Sequence, residues 1–161
     1  MSEGLIIFLC VVGIVAAIIL LRFASSDNAF SPYRSKRLLT RHEVVMYEKL
    51  ERALSGTPYI ICSQVSMGAI MDIKANVSNK KRLGLRNKFD RKIVDFVIVD
   101  REGRARVLIE LDDSSHNPVR DAARDALTAS AGYQTLRYRK AGSLDARKLR
   151  SDIAGVIRSQ N

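Results

Sequence analysis

The chain has 161 residues and a formal net charge of +10. That is room for one domain with a real core plus an appendage, and a balance this basic favours polyanionic partners, nucleic acid or an anionic membrane surface. Of its two cysteines one lies inside a long apolar run, which excludes an intramolecular disulfide framework.

The appendage comes first. Leu5 to Leu21 is an uncharged apolar run of 17 residues, extended past Arg22 by Phe23 and Ala24. This length is at the short end of the roughly 17–25 residues a spanning helix needs. A cleaved signal peptide is the competing reading. It wants a basic stretch ahead of a core of about 7–15 residues, whereas only Met-Ser-Glu-Gly precedes this run. A single-pass anchor over residues 1–24, meeting the bilayer through residues 5–24, is therefore expected. Arg22, Arg34, Lys36 and Arg37 follow the run, so the positive-inside rule puts the N-terminus outside and the C-terminal domain in the cytoplasm. Glu3 is the only charge among the first 21 residues, so the remainder carries +11. Lipid headgroups account for the basic residues near the anchor, but poorly for those far along the chain.

Residues 25–38 are polar, aperiodic and contain Pro32; they read as a linker. A domain is expected over 39–161. Thr40 and Glu43 have capping-box spacing and open a helix running to about Leu54. Tyr59 to Val65 reads as a strand, Met67 to Ile73 as a short helix, and Asn76 to Lys92 as a basic loop. Two apolar strands follow at 93–99 and 105–112, joined by a turn at Glu102-Gly103. Pro118 starts a helix that stops at Gly132, with Val119, Ala122, Ala123, Ala126, Leu127 and Ser130 on one face. Tyr133 to Arg139 is a strand. A last helix, from about Leu144 to Arg158, is expected to bury Leu149, Ile153, Val156 and Ile157.

The chemistry gathers at the hairpin. A turn centred between residues 102 and 103 sets Asp95 directly across from Glu110, with Cβ atoms about 5 Å apart. Asp95 has Ile93, Val97 and Val99 on its own face by alternation, and Val94, Phe96 and Ile98 on the other, so its strand should be central. Facing like charges among apolar neighbours need a proton or a cation between them. Asp112 shares the face of Glu110. Three such carboxylates suit Mg²⁺ or Mn²⁺, while pairing with Arg or Lys would neutralise them structurally instead. Glu43 falls on the apolar face of its helix with Tyr47, Leu50 and Leu54, as a capping residue or a fourth acid near the cluster. His116, just past the third strand, is a candidate general base or phosphate contact. Arg120 and Arg124, one helical turn apart, and Arg137 and Arg139, on one strand face, are candidate nucleic-acid contacts. No small-molecule cofactor is expected.

The pattern Asp95…Glu110-x-Asp112 on a hairpin, flanked by helices in this order, resembles the PD-(D/E)XK nuclease-like superfamily. More closely, Asn87-Lys-Phe-Asp-Arg-Lys-Ile-Val-Asp95-Phe, Ile109-Glu-Leu-Asp-Asp-Ser-Ser-His116 and Arg124-Asp125 resemble an uncharacterised bacterial family, domain of unknown function 2726, over roughly residues 36–150. The resemblance implies an α/β, restriction-endonuclease-like αβββαβ core: a central mixed sheet flanked by helices and preceded by the transmembrane helix. It also implies Asp95 and Glu110 as metal ligands and an acid on the first helix corresponding to Glu43; joined to the apolar run, a bacterial family makes the expected location the bacterial inner membrane. The superfamily's lysine after Glu-x is Asp112 here, and branches reading Glu-x-Asp use a following histidine, which would be His116. The function expected is metal-dependent phosphodiester hydrolysis of DNA or RNA. The alternatives are an inactive nucleic-acid-binding module or an adaptor for anionic membrane.

Overall fold

The computed structural model describes residues 2–26, 32–112 and 118–160, with side chains described over 2–22, 32–112 and 122–160. The chain divides into two compact units, Met1–Lys36 and Arg37–Asn161. The first holds α1, Glu3–Ser26. Its apolar side chains from Leu5 to Leu21 stand exposed, and its mean hydropathy of 3.2 over Glu3–Arg22 makes it long and apolar enough for a membrane span or a signal sequence.

The second unit is mixed α/β. After α2 (Arg41–Leu54) come β1 (Ile60–Ser66), α3 (Met67–Ile70) and α4 (Asn79–Arg86). The hairpin β2 (Ile93–Val99) and β3 (Ala105–Leu111) precedes α5 (Pro118–Ser130) and β4 (Thr135–Tyr138). A 3₁₀ turn at Ala141–Ser143 leads into α6 (Ala146–Ser159). The strands lie in the order β1-β2-β3-β4. Neighbours β1–β2 and β2–β3 pair antiparallel, and β4 runs parallel to β3, the parallel return that the α5 crossover makes possible.

The sheet is covered on both faces. Phe96, Ile98, Val107 and Ile109 pack with Met46 and Leu50 of α2 and with Leu149, Ile153, Val156 and Ile157 of α6. Val94, Val97 and Leu108 pack on the other face with Met67 and Phe89, flanked by Leu127 and Tyr133. The four α6 residues singled out by periodicity are the four that are buried. Gly68 lies against the Asp90 carboxylate, which would have to swing aside for a Cβ there. Ser66 Oγ donates to the Asp90 carbonyl at 2.7 Å and Met67 N–H to that of Lys92 at 2.8 Å, clamping the end of β1 against the entry to β2.

Three expectations are corrected. Residues 76–92 are not all loop, because α4 occupies Asn79–Arg86. Its sequence is too polar for an apolar stripe to announce it, and the Arg82 guanidinium ties it down by donating to the Ile73 and Lys74 carbonyls. The inward face of α5 is not the alanine face: Ala122, Ala123, Ala126 and Ser130 are exposed, while Thr128 is buried and Arg124 and Leu127 are partly so. Finally, strict alternation fails in β2. Val94 packs with Val97, not with Phe96 and Ile98, because the β1–β2 register steps from Ser63↔Phe96 to Val65↔Val94 and passes over Gln64 and Asp95.

Candidate functional site

The hairpin brings the acids together at one end of the sheet. The observed pairs Phe96↔Ile109, Val97↔Leu108 and Ile98↔Val107 have the register expected, with Asp95 and Glu110 at the next step, but the turn does not set it: beside the turn Val99 pairs with Ala105, one position off, and an irregularity between Ile98 and Val99 shifts the strands into the expected pairing. The turn is held by the Asp100 carboxylate, which accepts the N–H groups of Glu102 and Arg104 at 3.0 and 2.9 Å, with Gly103 at φ +80° where a side chain would be strained. These bonds hold the Asp100 carboxyl below the ordinary carboxylate range.

Asp95 ends the ladder with its side chain: Oδ2 accepts the Leu111 N–H at 2.8 Å. Burial raises its pKa above the usual value, the Leu111 N–H opposes this, and the Glu43 and Asp112 carboxylates add to the rise. Glu110 is only 6 % exposed, and burial pushes it up to about 7 against the pull of Arg124. Arg124 donates to Glu110 Oε1 at 2.6 Å and also to the Ile93 carbonyl, while its buried Nε has no hydrogen-bond partner among the described residues. Arg137 donates to Asp112 Oδ1 at 3.0 Å and to both oxygens of Asp125, at 2.6 and 3.2 Å. These carboxylates raise its pKa further. The two arginines reach across from α5 and β4, and pairing by arginine is the arrangement present at Glu110 and Asp112.

Glu43 does both things foreseen for it. The capping box is formed: Thr40 N–H donates to Glu43 Oε2 at 2.5 Å and Glu43 N–H to Thr40 Oγ1 at 3.3 Å. Its Oε1 also accepts from Gln64 Nε2 at 2.7 Å, and the carboxylate borders the cavity that Asp95 and Asp112 line. That cavity, about 510 Å³, is further walled by Thr40, His42, Leu111, Arg139, Lys140, Ala141 and Gly142. Glu110 lies behind its wall, against Arg124.

The strand β4 ends at Tyr138, so Arg137 and Arg139 part company: Arg137 serves Asp112 and Asp125, and Arg139 borders the cavity. Arg120 lies on α5 with its side chain outside the described part, and His116 lies outside the described residues. Reading by residue type passed over Gln64, His42 and Lys140. The available signals were a polar Ser63-Gln64 in an otherwise apolar strand and a histidine beside Glu43 in the capping turn.

The donor set fits a hard divalent cation: oxygen ligands only, with an Asp95 carboxylate under like-charge pressure and free of any arginine bond among the described residues. With the side chains as they stand, no three His, Cys, Asp or Glu groups among the described residues meet closely enough to hold one.

Residues 35–157 match the family described as protein of unknown function, DUF2726. A protein of Haemophilus influenzae described as uncharacterised is 31% identical over 103 residues, 63% of this chain and 50% of the relative. The chain thus spans about half the length of the curated relative it matches. No solved structure matches the chain. With 35–157 covering the hairpin, its flanking helices and every acid of the cavity, the chain belongs to the DUF2726 family.

Proposed function

We propose that residues 39–161 form a restriction-endonuclease-like domain of the PD-(D/E)XK superfamily that hydrolyses phosphodiesters of DNA or RNA with Mg²⁺ or Mn²⁺. The observation that carries this reading is Asp95: a half-buried carboxylate facing a cavity with Glu43 and Asp112, its pKa raised by both, with Arg139 and Lys140 on the rim. The order α2, β1, β2, β3, α5, β4, with the short helices α3 and α4 inserted between β1 and β2 and a parallel last strand, is in keeping with an αβββαβ core. Asp95, Glu110 and Asp112 would hold the cation. Once bound, it lowers the pKa of a water and stabilises charge on the phosphate. Arg139 and Lys140 supply positive charge where a phosphate backbone would enter. Arg124 and Arg137 hold Glu110 and Asp112 in orientation, and His116 orients or deprotonates the attacking water. The apolar α1, with basic residues after it, supports a bacterial inner-membrane anchor with the domain on the cytoplasmic side.

A second reading, a nucleic-acid-binding module without turnover, is favoured by one observation: Glu110 and Asp112 are already neutralised by arginines. One experiment separates the readings. The full chain in detergent is incubated with DNA and with RNA, in Mn²⁺, Mg²⁺ or EDTA. The expected result is metal-dependent cleavage, reduced at least about 100-fold in Asp95→Asn, which keeps the shape and removes the charge. Salt-sensitive retention without cleavage in any metal establishes the binding module instead. Preference for anionic vesicles over nucleic acid rejects both in favour of a membrane adaptor.

A further inference from the structure

We propose that Gln64 is a positioning residue of the acidic cavity, holding the Glu43 carboxylate beside Asp95 from a left-handed backbone conformation. The proposal rests on the metal-dependent reading above and names a residue that serves it.

Gln64 has φ +55° and is the only non-glycine residue with positive φ among the described residues. That region crowds Cβ against the following carbonyl, and glycine, or asparagine at a turn, is its usual occupant. Gln64 is not at a turn. It lies within β1, where the register passes over it and Asp95 together. Both strands turn over at this step: Cys62 and Val65, three apart, pack on the same face of the sheet, as do Val94 and Val97. A strand that turned over for packing alone would be served by glycine, which holds the conformation without strain.

What glutamine adds is its amide. Nε2 donates to Glu43 Oε1 at 2.7 Å, while the capping turn engages Oε2 through the Thr40 N–H at 2.5 Å. A glutamate that only capped α2 would need one of these bonds. With both, neither oxygen swings freely, and the carboxylate is held at the wall of the cavity that Asp95 shares. Strained backbone over-determined by its surroundings gathers at functional sites. Here the strained residue's side chain reaches one acid of the cavity and its backbone lies opposite another.

The test uses the full chain in detergent as wild type, Gln64→Gly and Gln64→Ala. Two quantities are measured: Tm of the metal-free protein, and Mn²⁺ affinity by titration calorimetry. Both variants lose the amide, so both are expected to bind Mn²⁺ about 10-fold more weakly than wild type. Only glycine relieves the backbone, so Gln64→Gly should melt about 3–6 °C above Gln64→Ala. A structural residue would instead leave metal affinity unmoved. Equal Tm values for the two variants, or Mn²⁺ affinity within two-fold of wild type in either, overturns the proposal. Wild-type protein that takes up no Mn²⁺ overturns the metal-dependent reading along with it. Wild-type uptake matched by either variant removes only the role of Gln64.

Discussion

Glu110 is the residue at which burial and charge oppose each other most directly. Burial and the neighbouring Asp95 and Asp112 raise its pKa to about 7, while Arg124 and Arg137 pull the other way. Its unfolded value is near 4.5, so between the two the folded state binds a proton that the unfolded state has released. This group's contribution to the stability of the metal-free protein is therefore full below about pH 4.5 and falls, by about 3 kcal/mol, as pH rises to about 7. Asp95 acts in the same direction. In Glu110→Gln that fall should be largely flattened, as read from urea midpoints between pH 5 and 8; an unchanged slope would show that Arg124 already keeps Glu110 ionised. That Asp95 and Glu110 come near one another was legible in the sequence from the pairing of two apolar strands, but the register was not, because an irregularity between Ile98 and Val99 separates the turn from the paired part of the hairpin. The arginines that answer the acids were legible only as types, since nothing local says that Arg124 faces inward while Ala122 and Ala123 face out.

At the scale of elements, α6 and α5 differ in how far periodicity could be read. Leu149, Ile153, Val156 and Ile157 repeat at helical spacing and lie against the sheet, so burial of apolar area alone orients α6. Leu149 is wholly buried, and Leu149→Ala should cost about 2–5 kcal/mol in unfolding free energy measured by denaturant titration, with the m-value unchanged. In α5 the acidic end of β3 decides instead. Arg124 turns toward Glu110, and Thr128 Oγ1 lies 3.2 Å from Thr135 Oγ1, so the small alanines are left at the surface. Within β2 and β1 the strict two-residue alternation holds except at Gln64 and Asp95, beside the acidic cavity. Departures from local rules at such places are expected where function competes with regularity.

At the scale of the molecule, two units of different composition share one chain. The apolar side chains from Leu5 to Leu21 stand exposed on the first helix, and the rest of the chain is basic and folds on its own core. The full chain expressed in bacteria is expected to sediment with membranes and to resist carbonate extraction, while deletion of residues 2–26 releases it to the soluble fraction. Recovery of the full chain as a shortened soluble form would instead identify the helix as a cleaved signal.

By itself the sequence determined what depends on short range: the apolar helix, the capping box at Thr40 and Glu43, the hairpin and the buried stripe of α6. Each follows from spacing between neighbours in the chain, where geometry leaves one solution. Tertiary structure decided what depends on elements far apart in sequence. It brought Arg124 and Arg137 onto Glu110 and Asp112, set Arg139 and Lys140 at the rim of the Asp95 cavity, and turned Gln64 onto Glu43. Charged and polar side chains carry no periodic signal of their own, so their partners are chosen by where the sheet and its covering helices bring them.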